Sequence, residues 1–139
     1  MRNLIFWPVI AQVALVMVIW WRMYVTLVRE MRSRRIRPQA LATSRHMSVL
    51  QDVTAADNFR NLFEIPVLFF AVCLALAVTD TVTPVQIALA WTFVALRAVH
   101  SLIHVTYNRV VHRFAAYVAS SLCVFAMWAL FAVSLARAG

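Results

Sequence analysis

LFEIPVLFFAVCLALAV, residues 62–78, is an apolar segment whose one charged side chain is Glu64. Its length is close to the ~20 residues that a helix needs to cross the core of a bilayer. Three further segments share this composition, so membrane spans are predicted at about residues 4–28, 60–79, 84–107 and 112–136. The pattern predicts a single all-α domain, residues 1–139, built as a bundle of four transmembrane helices.

The composition excludes the main alternatives to a helical membrane protein. Of the 139 residues, 64% are hydrophobic, 13% are charged and one is glycine, whereas a soluble domain has about 45–50% apolar and about 25% charged residues. Disorder requires low hydrophobicity. A transmembrane barrel requires strands that alternate apolar and polar residues, with many turns.

The distribution of charge predicts the orientation of the spans. All thirteen basic residues are arginines, against five acidic residues. The first loop contains Arg29, Arg32, Arg34, Arg35, Arg37 and Arg45, whereas the second, residues 79–84, has no basic residue. The positive-inside rule therefore places loops 1 and 3 in the cytoplasm and both termini outside. We expect helical extensions into the first loop, with a break near Arg37-Pro38, and Pro84 in the first turn of the third span.

The second span begins with polar residues on one predicted helical face. At about 100° per residue, Asp57, Arg60, Asn61 and Glu64 form a narrow stripe on a continuous helix. An i,i+4 ion pair between Arg60 and Glu64 is one explanation. This ion pair does not explain why Glu64 lies at the point where the span enters the hydrocarbon region. An ionisable residue at that depth is a candidate for a functional site.

The third span carries Arg97, His100, His104 and Tyr107 within a predicted arc of about 80°. One interpretation of this arc is a functional site. The alternative is a structural role, in which these polar side chains form hydrogen bonds with neighbouring helices. The two histidines, four residues apart, would suit a metal, but the sequence lacks a His-Glu-x-x-His motif. We therefore predict no metal site.

The fourth span begins at Arg113, with Tyr117 and Ser120 on the same predicted face. Arg113 alone could be an anchor that reaches the lipid headgroups. Arginines from several helices attract a multiply anionic ligand, and Glu64 would favour one that also carries an amine. A small zwitterion with more than one carboxylate fits this pattern, and anionic lipid headgroups satisfy much of it.

Two segments, DNFRNLFEIPVLFF (57–70) and RAVHSLIHVTYNRVVHR (97–113), resemble the MAPEG family of membrane-associated proteins in eicosanoid and glutathione metabolism. The similarity extends over essentially the whole chain and is greatest to the bacterial branch. It implies a homotrimer in the bacterial inner (cytoplasmic) membrane. It also implies that glutathione, as co-substrate, binds between subunits near the cytoplasmic side.

The resemblance also implies roles for individual residues. Arg113 matches the arginine associated with activating the glutathione thiol and is the catalytic candidate. The matching glutathione-binding candidates are Arg34, Arg60, Asn61, Glu64, Arg97, His100, His104 and Tyr107. His104 stands where eukaryotic members usually have tyrosine. Phe114 replaces the serine of prostaglandin E synthase-like members, so their isomerase chemistry is not implied.

The leading functional hypothesis is a glutathione-dependent transferase or peroxidase that acts on a lipophilic small molecule. The alternative is a non-enzymatic lipid-binding or structural membrane protein, including a small subunit of a larger membrane complex. A proton or ion path along His100 and His104 is a third hypothesis. Membrane lipids are expected partners and nucleic acid is not, because the basic loop is short and lacks interleaved aromatic residues.

Overall fold

The computed structural model describes residues 1–35 and 54–138, and these form a helical bundle. The elements are a short 3-10 helix at Arg2–Ile5 followed by α1 (Phe6–Ser33), α2 (Thr54–Asn61), α3 (Ile65–Val78), α4 (Pro84–Val105) and α5 (Val110–Ala138). Four segments are long and apolar enough to cross a membrane: Arg2–Ser33, Asp57–Val78, Pro84–Val105 and Val110–Arg137. The predicted all-α, four-span fold is confirmed. Arg37, Arg45 and the predicted break near Arg37-Pro38 lie outside the described residues.

The second span is divided into two helices, α2 and α3, by a break at residues 62–64. Pro66, the second residue of α3, has no N–H, and its ring would clash with the carbonyl of Leu62 in a continuous helix. The prediction that residues 57–64 form one helical stripe is therefore wrong. Arg60 and Glu64 do not form the suggested ion pair; within residues 1–35 and 54–138 the ion pair found joins Glu30 and Arg34, 3.0 Å apart.

The apolar core lies between α3, α4 and α5. The rings of Phe69 on α3 and Phe93 on α4 stack with their centroids 4.4 Å apart, and Met127 of α5 is fully buried in the same cluster. The outer faces of the helices expose large apolar side chains. Such faces are expected of an integral membrane protein, whose lipid-facing surface is as apolar as its interior.

Both ends of α4 have sequence-encoded caps. Thr83 is the N-cap, and its side-chain oxygen accepts a hydrogen bond from the N–H of Gln86 (3.3 Å), with Pro84 in the first turn as predicted. Beyond the C-terminus, Asn108 adopts a left-handed φ of 46°, which asparagine tolerates better than most residues. Its N–H donates to the Ile103 carbonyl (2.8 Å), and the tight turn leads directly into α5.

The buried polar side chains concentrate in the C-terminal half of α4. Arg97, His100, Ser101 and His104 are each at most 2% exposed. Ser101 donates a hydrogen bond to Oδ1 of the buried Asn58 on α2 (3.2 Å). This polar layer lies at the end of the bundle where α2, α4 and α5 meet, and it positions the candidate site.

Candidate functional site

A cleft of about 210 Å³ opens beside the break between α2 and α3. It contains one carboxylate, one guanidinium, an imidazole and an amide, surrounded by apolar and aromatic side chains. The lining residues are Asn61, Glu64, His100, Val110, Arg113, Phe114 and Tyr117. Four of the predicted site residues, from three parts of the sequence, are thus brought together.

Glu64 reaches this cleft because of the helix break. It is the N-cap of α3, with φ −92° and ψ −95°, and its side chain makes no capping hydrogen bond. The carboxylate is therefore not used to stabilise the end of its own helix, although Glu64 is exposed at that position. Among the residues that the structure describes, no ion pair occupies the Glu64 carboxylate, so its charge can bind a cation such as an amine of a ligand.

Arg113 is held by two groups at the α4–α5 turn. Its Nη1 lies 3.0 Å from Nε2 of His104 and donates to Oδ1 of Asn108 at 2.9 Å. These contacts use both Nη1 hydrogens, and no contact with another described residue uses Nε or Nη2, which can therefore donate to a ligand. Because a guanidinium can only donate, Nε2 of His104 must be the acceptor. Asn108 was not among the predicted site residues, since its role depends on the geometry of the turn.

His100 contacts α5 through its main chain. Its Nδ1 lies 3.0 Å from the carbonyl oxygen of Arg113, and a carbonyl can only accept, so Nδ1 carries the proton. In the neutral imidazole Nε2 is then an acceptor. Within the part of the chain that the structure describes, this buried Nε2 has no hydrogen-bond partner. His100 lines the cleft, and in its neutral ring Nε2 is the hydrogen-bond acceptor.

Arg97 lies in the interior behind the cleft and does not line it. The side chain is fully buried, and Nη2 donates to the main-chain carbonyl of Asn61 at 2.6 Å. The guanidinium also lies over the Tyr117 ring, 5.8 Å from its centroid, a distance suitable for a cation–π interaction. Arg97 therefore supports two residues of the cleft, Asn61 and Tyr117.

Three predicted glutathione-binding residues lie away from the cleft. Arg34 is at the C-terminal end of α1 and pairs with Glu30. Arg60 is exposed on α2. Tyr107 follows the end of α4, so it leaves the predicted helical arc, and its hydroxyl lies 3.3 Å from Nδ1 of His112. Their roles in binding stay predictions, as does that of His104, which contacts the cleft through Arg113.

Val110, Phe114 and Tyr117 line the cleft but were not among the predicted site residues. Tyr117 had a signal, because it follows Arg113 by four residues and shares its helical face. Phe114 had a signal only from the family resemblance, where it replaces a serine. Val110 had none, since an apolar residue at the start of a span looks like an ordinary lipid-facing position.

A second charged depression also combines a guanidinium, an amide and a carboxylate, but it has no imidazole and no aromatic side chain. It measures about 420 Å³ and is lined by residues 1–4 and Asp80, at the opposite end of α3. Its larger volume reflects a shallow surface at the chain terminus, so size does not identify the site here. Within residues 1–35 and 54–138, no group of three or more His, Cys, Asp or Glu side chains could hold a metal ion.

The model of the MAPEG family matches residues 5–133, which is nearly the whole sequence and includes every residue of the cleft. No curated protein and no solved structure matches the chain.

Proposed function

This chain belongs to the MAPEG family, and from that premise we propose that it is a glutathione-dependent transferase or peroxidase acting on lipophilic electrophiles. The observation that carries the proposal is the pairing of Glu64 and Arg113 across one small cleft. A zwitterionic peptide needs a carboxylate for its amine and a guanidinium for its anionic groups.

The groups in the cleft suit distinct parts of glutathione. Glu64 binds the γ-glutamyl amine, and the amide of Asn61 hydrogen-bonds the adjacent carboxylate. Nε and Nη2 of Arg113 stabilise the cysteine sulfur as a thiolate, the nucleophilic form. Nε2 of His100 accepts the thiol proton. The thiolate then attacks an electrophilic carbon of a substrate that enters sideways from the bilayer, and the C–S bond forms as the leaving group departs with its electron pair and takes up the proton held by His100.

The size of the cleft supports a site shared between subunits. Small-molecule sites usually measure roughly 300–1,000 Å³, so a cleft of about 210 Å³ is too small and too open to enclose a tripeptide. Phe114 and Val110 at its edge are 65% and 64% exposed. A neighbouring subunit of a homotrimer would cover these side chains and complete the site near the cytoplasmic side of a bacterial inner membrane.

Titration of the detergent-solubilised protein with glutathione, followed by calorimetry, tests the proposal. We expect saturable binding to the wild type and at least tenfold weaker binding to Glu64→Gln, because a charge-assisted hydrogen bond contributes about 1.5–3 kcal/mol. Asp80→Asn is the matched control, since it removes a carboxylate at the far end of α3 and should bind like the wild type. Absence of heat at millimolar glutathione, or equal affinities for all three proteins, would contradict the proposal.

A second candidate is a non-enzymatic lipid-binding or structural membrane protein, such as a small subunit of a larger complex. The interhelical contacts Ser101–Asn58 and Arg97–Asn61 favour it, because they join α4 to α2 without any ligand. Under this alternative the polar layer stabilises the bundle, and Arg113 contributes to assembly rather than to turnover.

A further inference from the structure

The shallow depression at the end of the bundle opposite the cleft brings unlike charges together. It measures about 420 Å³ and is lined by residues 1–4 and by Asp80, in the turn between α3 and α4. Arg2 contributes a guanidinium, Asn3 an amide and Asp80 a carboxylate. The volume lies within the range of roughly 300–1,000 Å³ that is usual for small-molecule sites. The depression is therefore large enough for a small ligand that meets both a cation and an anion.

The two charges of the depression do not neutralise each other. Within residues 1–35 and 54–138, neither Arg2 nor Asp80 takes part in an ion pair. Both side chains are exposed, and they line the same depression from different elements. A ligand between them needs an anionic group for the guanidinium and a cationic group for the carboxylate.

Asp80 occupies a backbone position that usually belongs to glycine. Its φ is 54°, and the N–H of Thr81 donates to the Leu76 carbonyl (3.1 Å), as in a Schellman motif at the end of a helix. Glycine adopts this left-handed conformation without steric cost. At another left-handed position, the side chain of Asn108 holds Arg113. The Asp80 carboxylate has no such contact within the described part of the chain, which favours a partner outside it.

The depression lies at the level of the lipid headgroups. Arg2 is the first residue of the first span, and Asp80 stands two residues beyond Val78, where the second span ends. Val78 and Trp7, which continue from these residues toward the hydrocarbon, are exposed apolar side chains. Tryptophan is enriched at the interface between membrane and water. The molecule that this depression meets at highest concentration is therefore a membrane lipid.

The undescribed residues 36–53 join the bundle at its other end. Their neighbours, Arg35 and Thr54, follow α1 and begin α2 at the end with the cleft. Asp52 is two residues from Thr54, and two residues of extended chain span about 7 Å, whereas the hydrocarbon core measures about 30 Å. Irregular chain does not cross that core in contact with lipid, because its backbone groups would lack hydrogen bonds. The segment therefore does not supply the partner of Arg2 or Asp80.

We infer that this depression binds the headgroup of a zwitterionic phospholipid, with its phosphate against Arg2 and Asn3 and its ammonium group against Asp80. Phosphate is a strong acceptor for a guanidinium. A lipid suits an open depression, because its acyl chains already hold it at the membrane surface. An anionic lipid without an amine would place negative charge beside Asp80. The inference does not rest on glutathione, since the depression and the cleft lie at opposite ends of the bundle.

Amide hydrogen exchange of the full-length protein in lipid nanodiscs tests the site, because it reports on the turn itself. Discs of phosphatidylglycerol alone are compared with discs in which half of the lipid is phosphatidylethanolamine, without glutathione. In the wild type we expect phosphatidylethanolamine to slow exchange at residues 79–83 by about threefold, the size expected of one exposed ion pair. Exchange at residues 106–109, in the turn at the other end, should not change.

Three variants show which groups hold the lipid. Asp80→Asn should lose the protection, because asparagine tolerates the left-handed backbone but has no charge for the ammonium group. Arg2→Gln should lose it as well, since it removes the guanidinium that binds the phosphate. Arg137→Gln is the matched control, because Arg137 is exposed at the same end of the bundle and lies outside the depression. It should retain the threefold effect.

Equal exchange at residues 79–83 in the two kinds of disc would overturn the inference, as would full protection in Asp80→Asn. Loss of the effect in Arg137→Gln would also overturn it, because the lipid would then respond to general surface charge. If soluble O-phosphoethanolamine, added to phosphatidylglycerol discs, protects the turn equally, the assignment to a membrane lipid is wrong. Failure of glutathione binding would leave these outcomes unchanged, so the two proposals can fail separately.

Discussion

Arg113 is the residue at which the contacts of the site converge. Its guanidinium is fixed by His104 and Asn108, and its carbonyl accepts from His100. A side chain held at two points is pre-organised and retains little rotamer freedom, which is the property expected of a group that stabilises a developing charge. Nε and Nη2, which neither contact uses, are the atoms available to a thiolate.

Replacement of Arg113 by alanine should greatly slow turnover without dissociating the oligomer. Loss of one preorganised donor to a developing anion typically lowers kcat by about 10²–10³. We expect a decrease of that size in kcat with glutathione and a chlorodinitrobenzene electrophile, and an unchanged oligomer mass by native mass spectrometry.

Arg109→Ala is the matched control for this experiment, because Arg109 is exposed in the same turn and lies outside the cleft. Its activity should equal that of the wild type. If Arg113→Ala instead weakens assembly while kcat stays near the wild-type value, the structural alternative is supported and the catalytic role of Arg113 is wrong.

At the residue scale, periodicity predicted which side chains would share a depth in the bundle but not which of them would line the cleft. Arg97, His100 and His104 do lie on the buried side of α4, as their helical spacing indicated. The partner of Arg97 is a main-chain carbonyl of another helix, and main-chain acceptors have no sequence signature. Arg97 lies behind the cleft and contacts the Asn61 carbonyl, and its role in glutathione binding stays a prediction.

At the scale of the element, the break between α2 and α3 is the feature that builds the site. It exposes the Asn61 carbonyl to Arg97 and turns Glu64 into the cleft. Pro66 was visible in the sequence, and its exclusion from a helix interior is a local rule. The apolar periodicity of the span nevertheless favoured a continuous helix. Periodicity depends on the spacing of side chains and contains no information on where a proline interrupts the backbone hydrogen bonds.

Pro66→Ala should let α2 and α3 join and should weaken glutathione binding. Alanine restores the N–H that a continuous helix needs and removes the clash with the Leu62 carbonyl. We expect amide hydrogen exchange at residues 62–65 to slow, and the affinity for glutathione to fall by about tenfold as Glu64 rotates away from the cleft.

Pro84→Ala provides the control for the helix break. Pro84 occupies the first turn of α4, where the missing N–H has no intrahelical partner in any case, so exchange and affinity should both remain at wild-type values. If residues 62–65 of Pro66→Ala exchange as rapidly as before, Pro66 is not the cause of the break. If exchange slows but affinity is unchanged, the position of Glu64 does not determine binding.

At the scale of the whole molecule, the four helices place two loop regions at opposite ends of the bundle. Residues 1–4 and Asp80 line one depression, so the N-terminus and the second loop share an end. The polar layer, the cleft and the turn at residues 106–109 lie at the other end. The arginines near the C-terminus of α1 are also at that end. This agrees with four antiparallel spans, in which successive loops lie at alternate ends of the bundle.

The arginine bias predicts that the end with the cleft faces the cytoplasm. We test this with single cysteines in a Cys73→Ala, Cys123→Ala background: Thr81→Cys reports the second loop, and Arg109→Cys reports the turn before α5. A membrane-impermeant maleimide should label Thr81→Cys in intact bacterial cells. It should label Arg109→Cys only after the membrane is opened. The reverse pattern would place the cleft outside, where the cytoplasmic glutathione pool could not supply it, and would contradict both the orientation and the proposed co-substrate.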